Sequence, residues 1–120
     1  MKSVTDWRRN IRMRLYRIEI TEAAKEDLEN IGDYLAFILE NPDAAINTIR
    51  QIRKKINTLR YYPERNGLET DPELAKIGVR MDYFRNYKIC YIVKLEVIYI
   101  VRILHKLEDS HIHLHQSLIS

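Results

Sequence analysis

Basic side chains and one histidine recur in the segments predicted as the last three strands. Arg80 and Lys88 fall on two successive strands, and Arg102 falls on the third, which ends at His105 and Lys106. Cations of this kind hold a phosphate and stabilise added negative charge, while an imidazole can move a proton. The pattern suggests RNA phosphate chemistry, with Arg80, Lys88 and His105 as catalytic candidates and Arg102 and Lys106 as binding candidates. Spacing alone favours the plainer alternative of solvated cations on a sheet face, with His105 capping the strand end.

Tyrosines close to these cations are candidates for stacking on nucleobases. Aromatic faces beside cations are typical of sites that bind single strands. Tyr83 and Tyr87 are predicted to be the exposed pair, whereas Tyr91 and Tyr99 lie within apolar strands and are expected in the core. Cys90 lies among apolar neighbours, so we expect a small core residue rather than a nucleophile.

Three histidines, His111, His113 and His115, alternate near the end of the chain. If this segment were extended, the three imidazoles would point to one side and could bind a transition metal ion. The favoured interpretation is a polar tail in which histidines recur by chance, so no metal and no cofactor is predicted. In a third alternative, His113 acts on a bound substrate.

The net charge of +3 conceals segments of opposite charge. Residues 50–65 hold six basic side chains against one acidic, and residues 76–106 hold seven against two. Residues 19–43 hold eight acidic side chains against one basic. A basic face attracts a polyanion or an acidic partner, which makes Arg53, Lys54 and Lys55 binding candidates. The alternative is a well-solvated surface in which an acidic helix lies beside a basic one.

Hydrophobic periodicity predicts elements in the order β-α-α-β-β-β. Thr21 is the expected N-cap of the first helix, and Asn41-Pro42 begins the second. Apolar residues recur with a period of two in the strands and at three- and four-residue spacing in the helices. The predicted elements are a strand over 15–20, helices over 22–40 and 42–61, a loop over 63–78 with a short helical turn near 72–76, and strands over 79–84, 87–94 and 97–104.

The predicted fold class is α+β, with a helical hairpin packed on one face of a small antiparallel sheet. Short connectors at 85–86 and 95–96 imply an antiparallel meander for the last three strands. The last of them is almost wholly apolar and is expected to be central and covered on both faces. No clear period is visible over 110–120. The sequence therefore divides into a basic extension (1–14), one domain (15–109) and a tail (110–120).

Length and composition limit the class of protein. A chain of 120 residues with 46% apolar side chains suits one folded domain. Its single cysteine excludes an intrachain disulfide and favours a reducing compartment. No apolar stretch approaches the roughly 20 residues that span a bilayer, and none follows the basic start as in a secretory signal. We expect a cytoplasmic protein without a membrane partner. Its residues 1–12 are an upstream-start extension, a functional basic arm or part of a short amphipathic helix.

Several segments, taken in order, carry a resemblance to a known superfamily. They are Tyr-Arg-Ile-Glu-Ile-Thr-Glu-Ala-Ala-Lys-Glu-Asp-Leu-Glu-Asn-Ile-Gly-Asp-Tyr-Leu (16–35), Asn-Pro-Asp-Ala-Ala (41–45), Leu-Arg-Tyr-Tyr-Pro-Glu-Arg (59–65), Gly-Val-Arg (78–80), Asn-Tyr-Lys-Ile-Cys-Tyr (86–91) and Ile-Tyr-Ile-Val-Arg-Ile-Leu-His (98–105). Together they resemble the RelE/ParE superfamily of type II toxins over about residues 16–109. The resemblance implies the fold predicted above, neutralisation by a cognate antitoxin, and an oligomeric toxin–antitoxin complex.

The resemblance allows two cellular targets. RelE-like toxins cleave messenger RNA on the ribosome with basic residues and no metal, whereas ParE-like toxins inhibit DNA gyrase and are not nucleases. By resemblance, Lys88 stands where RelE-like toxins have an essential arginine, and Arg80 lies near their strand lysines. His105 and Lys106 lie at the start of their C-terminal catalytic stretch.

The C-terminal part of that resemblance departs from the RelE-like pattern. Leu107-Glu108-Asp109 stands where more bases are expected, and no tyrosine follows Tyr99, so His113 is the nearest substitute. An acidic pair disfavours a phosphate site, so the ParE-like action on gyrase is favoured. The alternatives are a RelE-like endoribonuclease, which would make the protein an enzyme, and a degenerate member that only binds a partner.

Overall fold

Four strands form one mixed sheet in a computed structural model that describes residues 15–119. They are β1 (Arg17–Ile20), β2 (Val79–Phe84), β3 (Tyr87–Lys94) and β4 (Val97–His105), in the spatial order β1-β4-β3-β2. The last three strands form the predicted antiparallel meander, and β4 is central as predicted. The predicted basic extension, 1–14, lies outside the described residues.

The prediction of a wholly antiparallel sheet is wrong at β1. This strand lies parallel to β4, with Arg17 opposite Val97 and Ile20 opposite Ile100. Parallel neighbours need a long connection between them, and here the helical hairpin, β2 and β3 all intervene. The side chain of Thr21 joins the two strands beyond their last pair, since its hydroxyl donates to the carbonyl of Ile100 at 2.9 Å.

The two long helices form the predicted hairpin. Helix α1 (Glu22–Asp33) begins at the N-cap Thr21 and continues as a π-helical segment (Tyr34–Ile38). Helix α2 (Pro42–Thr58) begins at Asn41, whose side chain accepts from the Ala44 amide at 3.1 Å. A short 3₁₀ turn (Pro63–Arg65) and helix α3 (Pro72–Ile77) follow within the predicted loop.

The hairpin covers one face of the sheet with an apolar core. Alternate strand residues meet the apolar stripes of α1 and α2, as the periodicity predicts. The buried members of this first core are Ala24, Leu28, Ile52, Ile56, Leu59, Ile89, Tyr91, Ile98, Ile100 and Ile103.

The second face of the sheet is covered by a helix that the sequence did not predict. Helix α4 (Ser110–Leu118) begins at Asp109, whose carboxylate accepts from the Ile112 amide at 3.3 Å. Leu114 is fully buried and Leu118 is packed beside it. The buried members of this second core are Leu74, Val79, Met81, Cys90, Val101, Leu104 and Leu114. Within residues 15–119, no helix is both long and apolar enough to cross a membrane.

Candidate functional site

Arg80 and Lys88 lie on adjacent strands but point to opposite faces of the sheet. Val79 and Met81, which flank Arg80, pack in the second core, so Arg80 faces the helical hairpin. Tyr87 and Ile89, which flank Lys88, pack against the first core, so Lys88 faces α4. These two cations therefore do not form the shared patch that the sequence suggested.

Each of these two cations is already engaged with a backbone carbonyl. The Arg80 guanidinium donates to the carbonyl of Asn66. Lys88 is only 7% exposed, and its ammonium donates to the carbonyl of Glu108 at 2.6 Å. A buried ammonium held in this way ties the turn after β4 to strand β3 and offers little charge to a ligand in solvent.

His105 lies instead in a groove of about 680 Å³ between α1 and the ends of β3 and β4. The ring of His105 meets Tyr87 edge to face, with centroids 5.9 Å apart. Its Nδ1 accepts from the Leu107 amide at 3.2 Å, which leaves Nε2 to carry the proton of the neutral ring. Burial raises the pKa of the Tyr87 hydroxyl. The apolar lining residues are Ile31, Tyr34, Leu35, Leu39, Ile103 and Leu107.

The polar side of the groove carries acids as well as a base. Glu108 lines it, and its carboxylate accepts from the backbone amide of His105 at 2.9 Å. Asp27 lines it from α1. Lys106 is exposed in the turn between His105 and Glu108. Arg102 also lines the groove and pairs with Asp27, so the Glu108 carboxylate is the one left to repel a phosphate. With its largely apolar lining, the groove suits an apolar ligand better than a nucleic acid backbone.

Arg102 is held by Asp27 of α1 and is not a free cation. Its Nε and Nη2 donate to the two carboxylate oxygens of Asp27 at 2.7 and 2.8 Å. The same carboxylate accepts from the Ile103 amide at 2.8 Å, and Arg102 Nη1 donates to Ser117 at 3.0 Å. The hydrogen bond to Asp27 raises the pKa of Arg102. This predicted binding residue therefore joins α1, β4 and α4.

The cations predicted as a binding surface on α2 separate into free and paired residues. Arg53 and Lys54 are exposed. Lys55 lies 3.8 Å from the buried carboxylate of Asp82, which Arg65 contacts at 2.8 Å. With Arg50, which is also exposed, Arg53 and Lys54 form what we call the α2 basic surface.

Comparison with known proteins shows to which family this architecture belongs. A family model described as the ParE toxin of the type II toxin–antitoxin system parDE matches residues 18–110. The chain belongs to the ParE toxin family. A solved structure titled as the chromosomal ParDE TA system from P. aeruginosa is 22% identical, with a TM-score of 0.65 over 77% of this chain and 97% of that chain. No curated protein matches at a significant level.

Membership of the ParE family makes this chain the toxin of a type II toxin–antitoxin system, with a cognate antitoxin as its partner. The match from residue 18 to residue 110 agrees with the superfamily resemblance seen over about 16–109. The likeness in the solved structure confirms the α+β fold.

The tyrosines of the ParE chain divide differently from the prediction. Tyr83 is exposed as predicted, but Tyr87 is half-buried because it packs between the first core and His105. Tyr91 is buried as predicted, and its hydroxyl donates to the carbonyl of Pro63 at 2.6 Å. Tyr99 is half-buried against the second core. Of the predicted pair, only Tyr83 is exposed enough to stack on a nucleobase.

Cys90 is a core residue of the ParE chain, as predicted. It is fully buried in the second core, and burial raises its pKa to about 12. The thiolate form is therefore scarce at neutral pH, and the side chain is not positioned to act as a nucleophile.

The histidines near the end of the ParE chain do not form an extended row. His111 and His115 are one turn apart on α4 and both reach Asp71, whereas His113 is half-buried and separate from them. The Asp27–Arg102 pair, which holds α1 to β4, was also missed. Its two residues are 75 positions apart, and no local pattern joins them.

Proposed function

We propose that this toxin acts as ParE-like toxins do, by inhibiting DNA gyrase, and that its cognate antitoxin neutralises it. The observation that carries the proposal is the dispersal of the three residues that a RelE-like nuclease would need. Arg80 and Lys88 face opposite sides of the sheet, and His105 lies in the groove. Cleavage of RNA requires cations and a proton-transfer group around one phosphate. Without that convergence, the toxin is better suited to binding a protein.

Electrostatics at His105 supports the same proposal. The carboxylate of Glu108 lies against the His105 backbone amide at 2.9 Å, and Nδ1 of the ring already accepts a hydrogen bond. Lys88, which would have to offset this negative charge, is bound to the Glu108 carbonyl within the protein. A scissile phosphate placed at His105 would therefore meet the Glu108 carboxylate, with the exposed Lys106 as the cation beside it in the turn.

Exposed apolar side chains around the groove support a protein ligand. Phe37, Ile38 and Leu39 are 74%, 68% and 53% exposed at the end of the π-helical segment. Of these three, Leu39 lines the groove, together with Tyr34 and Leu107, which are also exposed. Apolar surface of this kind stabilises a complex when a partner covers it. We assign it to apolar side chains of the antitoxin, and assign the α2 basic surface to the antitoxin's acidic side chains.

Two assays on the antitoxin-free toxin test the proposed target. One measures supercoiling of relaxed plasmid by DNA gyrase, and the other measures cleavage of messenger RNA on programmed ribosomes. The expected result is loss of supercoiling with intact message. Codon-phased cleavage with normal supercoiling would overturn the proposal in favour of the RelE-like alternative, and inactivity in both assays would support a degenerate member.

Matched histidine variants decide whether the groove carries nuclease chemistry. His105→Ala removes the groove imidazole, whereas His113→Ala removes a histidine from α4 outside the groove. If the proposal holds, neither variant changes the amount of intact message. A cleavage activity that His105→Ala abolishes and His113→Ala retains would contradict it.

Reversing charge on the α2 basic surface is expected to slow antitoxin binding. The double variant Arg53→Glu/Lys54→Glu should lower the association rate constant by at least about tenfold at low salt, because steering by exposed charges acts on encounter. Surface plasmon resonance with immobilised antitoxin gives the rate. The control Lys76→Glu/Lys94→Glu carries the same charge change at exposed sites outside α2. Equal slowing in both variants would contradict a specific role for the α2 basic surface.

A further inference from the structure

Two histidines of α4 meet one carboxylate from the loop before α3. Oδ2 of Asp71 lies 2.6 Å from Nδ1 of His111 and 2.7 Å from Nε2 of His115. The two imidazole rings stack with centroids 4.3 Å apart, since four residues bring them to the same face of the helix. Two ring nitrogens and a carboxylate oxygen, all within 4.8 Å of one another, thus converge at the surface.

We propose that Asp71, His111 and His115 bind a divalent transition metal ion, for which Zn²⁺ is the suitable probe. Imidazole nitrogen with carboxylate oxygen is a donor set that suits Zn²⁺ and its neighbours rather than Mg²⁺ or Ca²⁺. Three protein ligands leave the fourth position of a tetrahedral ion to water. A shallow pocket of about 350 Å³, lined also by Thr70, Pro72 and Glu73, gives the ion access from solvent.

The carboxylate of Asp71 is held ready for this role by the helix that it caps. Its Oδ1 accepts from the amides of Glu73 and Leu74 at 2.9 and 3.4 Å, which leaves Oδ2 directed at the imidazoles. Backbone donors to the far oxygen of a ligating carboxylate are the outer-shell contacts that orient a metal ligand.

Only a small side-chain movement is needed to admit the ion. Ligand atoms around tetrahedral Zn²⁺ lie roughly 3.3 Å apart, given bonds of about 2.0–2.2 Å. The two oxygen–nitrogen distances here are 2.6 and 2.7 Å, so each nitrogen must move away from the oxygen by roughly 0.6–0.7 Å. The His111 side chain is 63% exposed and is free to make that movement, whereas His115 is 25% exposed.

A bound ion would add a link between the start of α3 and helix α4, which already share the second core through Leu74 and Leu114. Asp71 precedes α3, and the histidines lie on α4, which covers the second face of the sheet. Because only the folded chain holds the three ligands together, binding would stabilise the fold. At a free Zn²⁺ concentration a hundredfold above Kd, the melting temperature should rise by about 10 °C.

Calorimetric titration of the untagged full chain with Zn²⁺ tests the site. One ion should bind per chain, and His111→Ala and His115→Ala should each weaken binding by at least about tenfold, since even outer-shell losses cost about that much. His113→Ala is the matched control, because it removes a histidine of the same helix that does not contact Asp71, and its affinity should equal that of the wild type.

Asp71→Asn separates loss of the metal ligand from loss of the fold. Asparagine caps a helix as well as aspartate does, so the variant should keep the circular dichroism spectrum while its affinity for Zn²⁺ falls by at least about tenfold. Absence of saturable binding to the folded wild type would overturn the site and leave a hydrogen-bonded cluster. Equal loss in His113→Ala and His111→Ala, or undiminished binding in Asp71→Asn, would also overturn it.

Discussion

Asp27→Ala is expected to lower the free energy of unfolding by about 3 kcal/mol. The side chains of Asp27 and Arg102 are only 11% and 18% exposed. Removing the carboxylate leaves the Arg102 guanidinium without its partner in a poorly solvated position, and leaves the Ile103 amide at the edge of β4 without its acceptor. Breaking a pair in this way costs more than the pair itself contributes, because the remaining charge stays buried.

Urea unfolding followed by circular dichroism measures this effect. Glu26→Ala and Glu29→Ala remove exposed acids from the same helix, so they should change stability by no more than about 0.5 kcal/mol. The double variant Asp27→Ala/Arg102→Met should recover part of the loss, because neither charge then remains buried. If Asp27→Ala lowers the free energy of unfolding no more than Glu29→Ala does, the prediction is wrong. The Arg102 guanidinium must then be solvated or paired with another side chain.

The order of elements was open to prediction because it depends on local patterns. Apolar spacing sets α1 and α2, and caps at Thr21 and Asn41 set where they begin. The two-residue connectors fix the register of the meander. The parallel placement of β1 beside β4 depends instead on residues nearly 80 positions apart, such as Thr21 and Ile100, and no local pattern encodes such a pairing.

The opposite orientation of Arg80 and Lys88 was available in the sequence. A turn at 85–86 pairs Phe84 with Tyr87, which places Tyr83 opposite Lys88 and Tyr91 opposite Arg80. Cross-strand partners share a face, and successive residues alternate. Arg80 and Tyr83 are an odd number of residues apart, so Arg80 and Lys88 must face opposite sides. Adjacent strands therefore carry these two cations on different surfaces of the sheet.

Helix α4 escaped prediction because its apolar stripe is short. Leu114 and Leu118 are its inward residues, and polar histidines stand between and before them. A period of 3.6 needs several repeats before it is visible. Because the helix was not predicted, the Asp71 cluster was not predicted either. Alternate histidines lie on one side of the chain only if the segment is a strand. In a helix, the pair that shares a face is His111 and His115.

Leu114→Ala is expected to destabilise the fold by about 3 kcal/mol. Leu114 is fully buried between α4 and the second core, so its truncation removes apolar contact and leaves a cavity that rigid strands cannot close. Ile112→Ala is the matched control on the same helix, since Ile112 is 53% exposed and should change stability by no more than about 0.5 kcal/mol. Thermal or urea unfolding of both variants measures the difference.

Chemical labelling of Cys90 provides a second measurement of how Leu114 packs in the second core. It lies in the second core with Leu114, is fully buried, and is the single cysteine of the chain. A thiol reagent reaches it only when the protein opens, and the rate of labelling follows the population of the open form when opening is fast. A 3 kcal/mol loss in Leu114→Ala should then raise the labelling rate by about 100-fold, while Ile112→Ala leaves it near the wild-type rate. Equal rates in both variants would mean that α4 does not cover the second face in solution. Faster labelling in Leu114→Ala would establish that helix α4, whose sequence shows no visible period, covers the second core of this toxin.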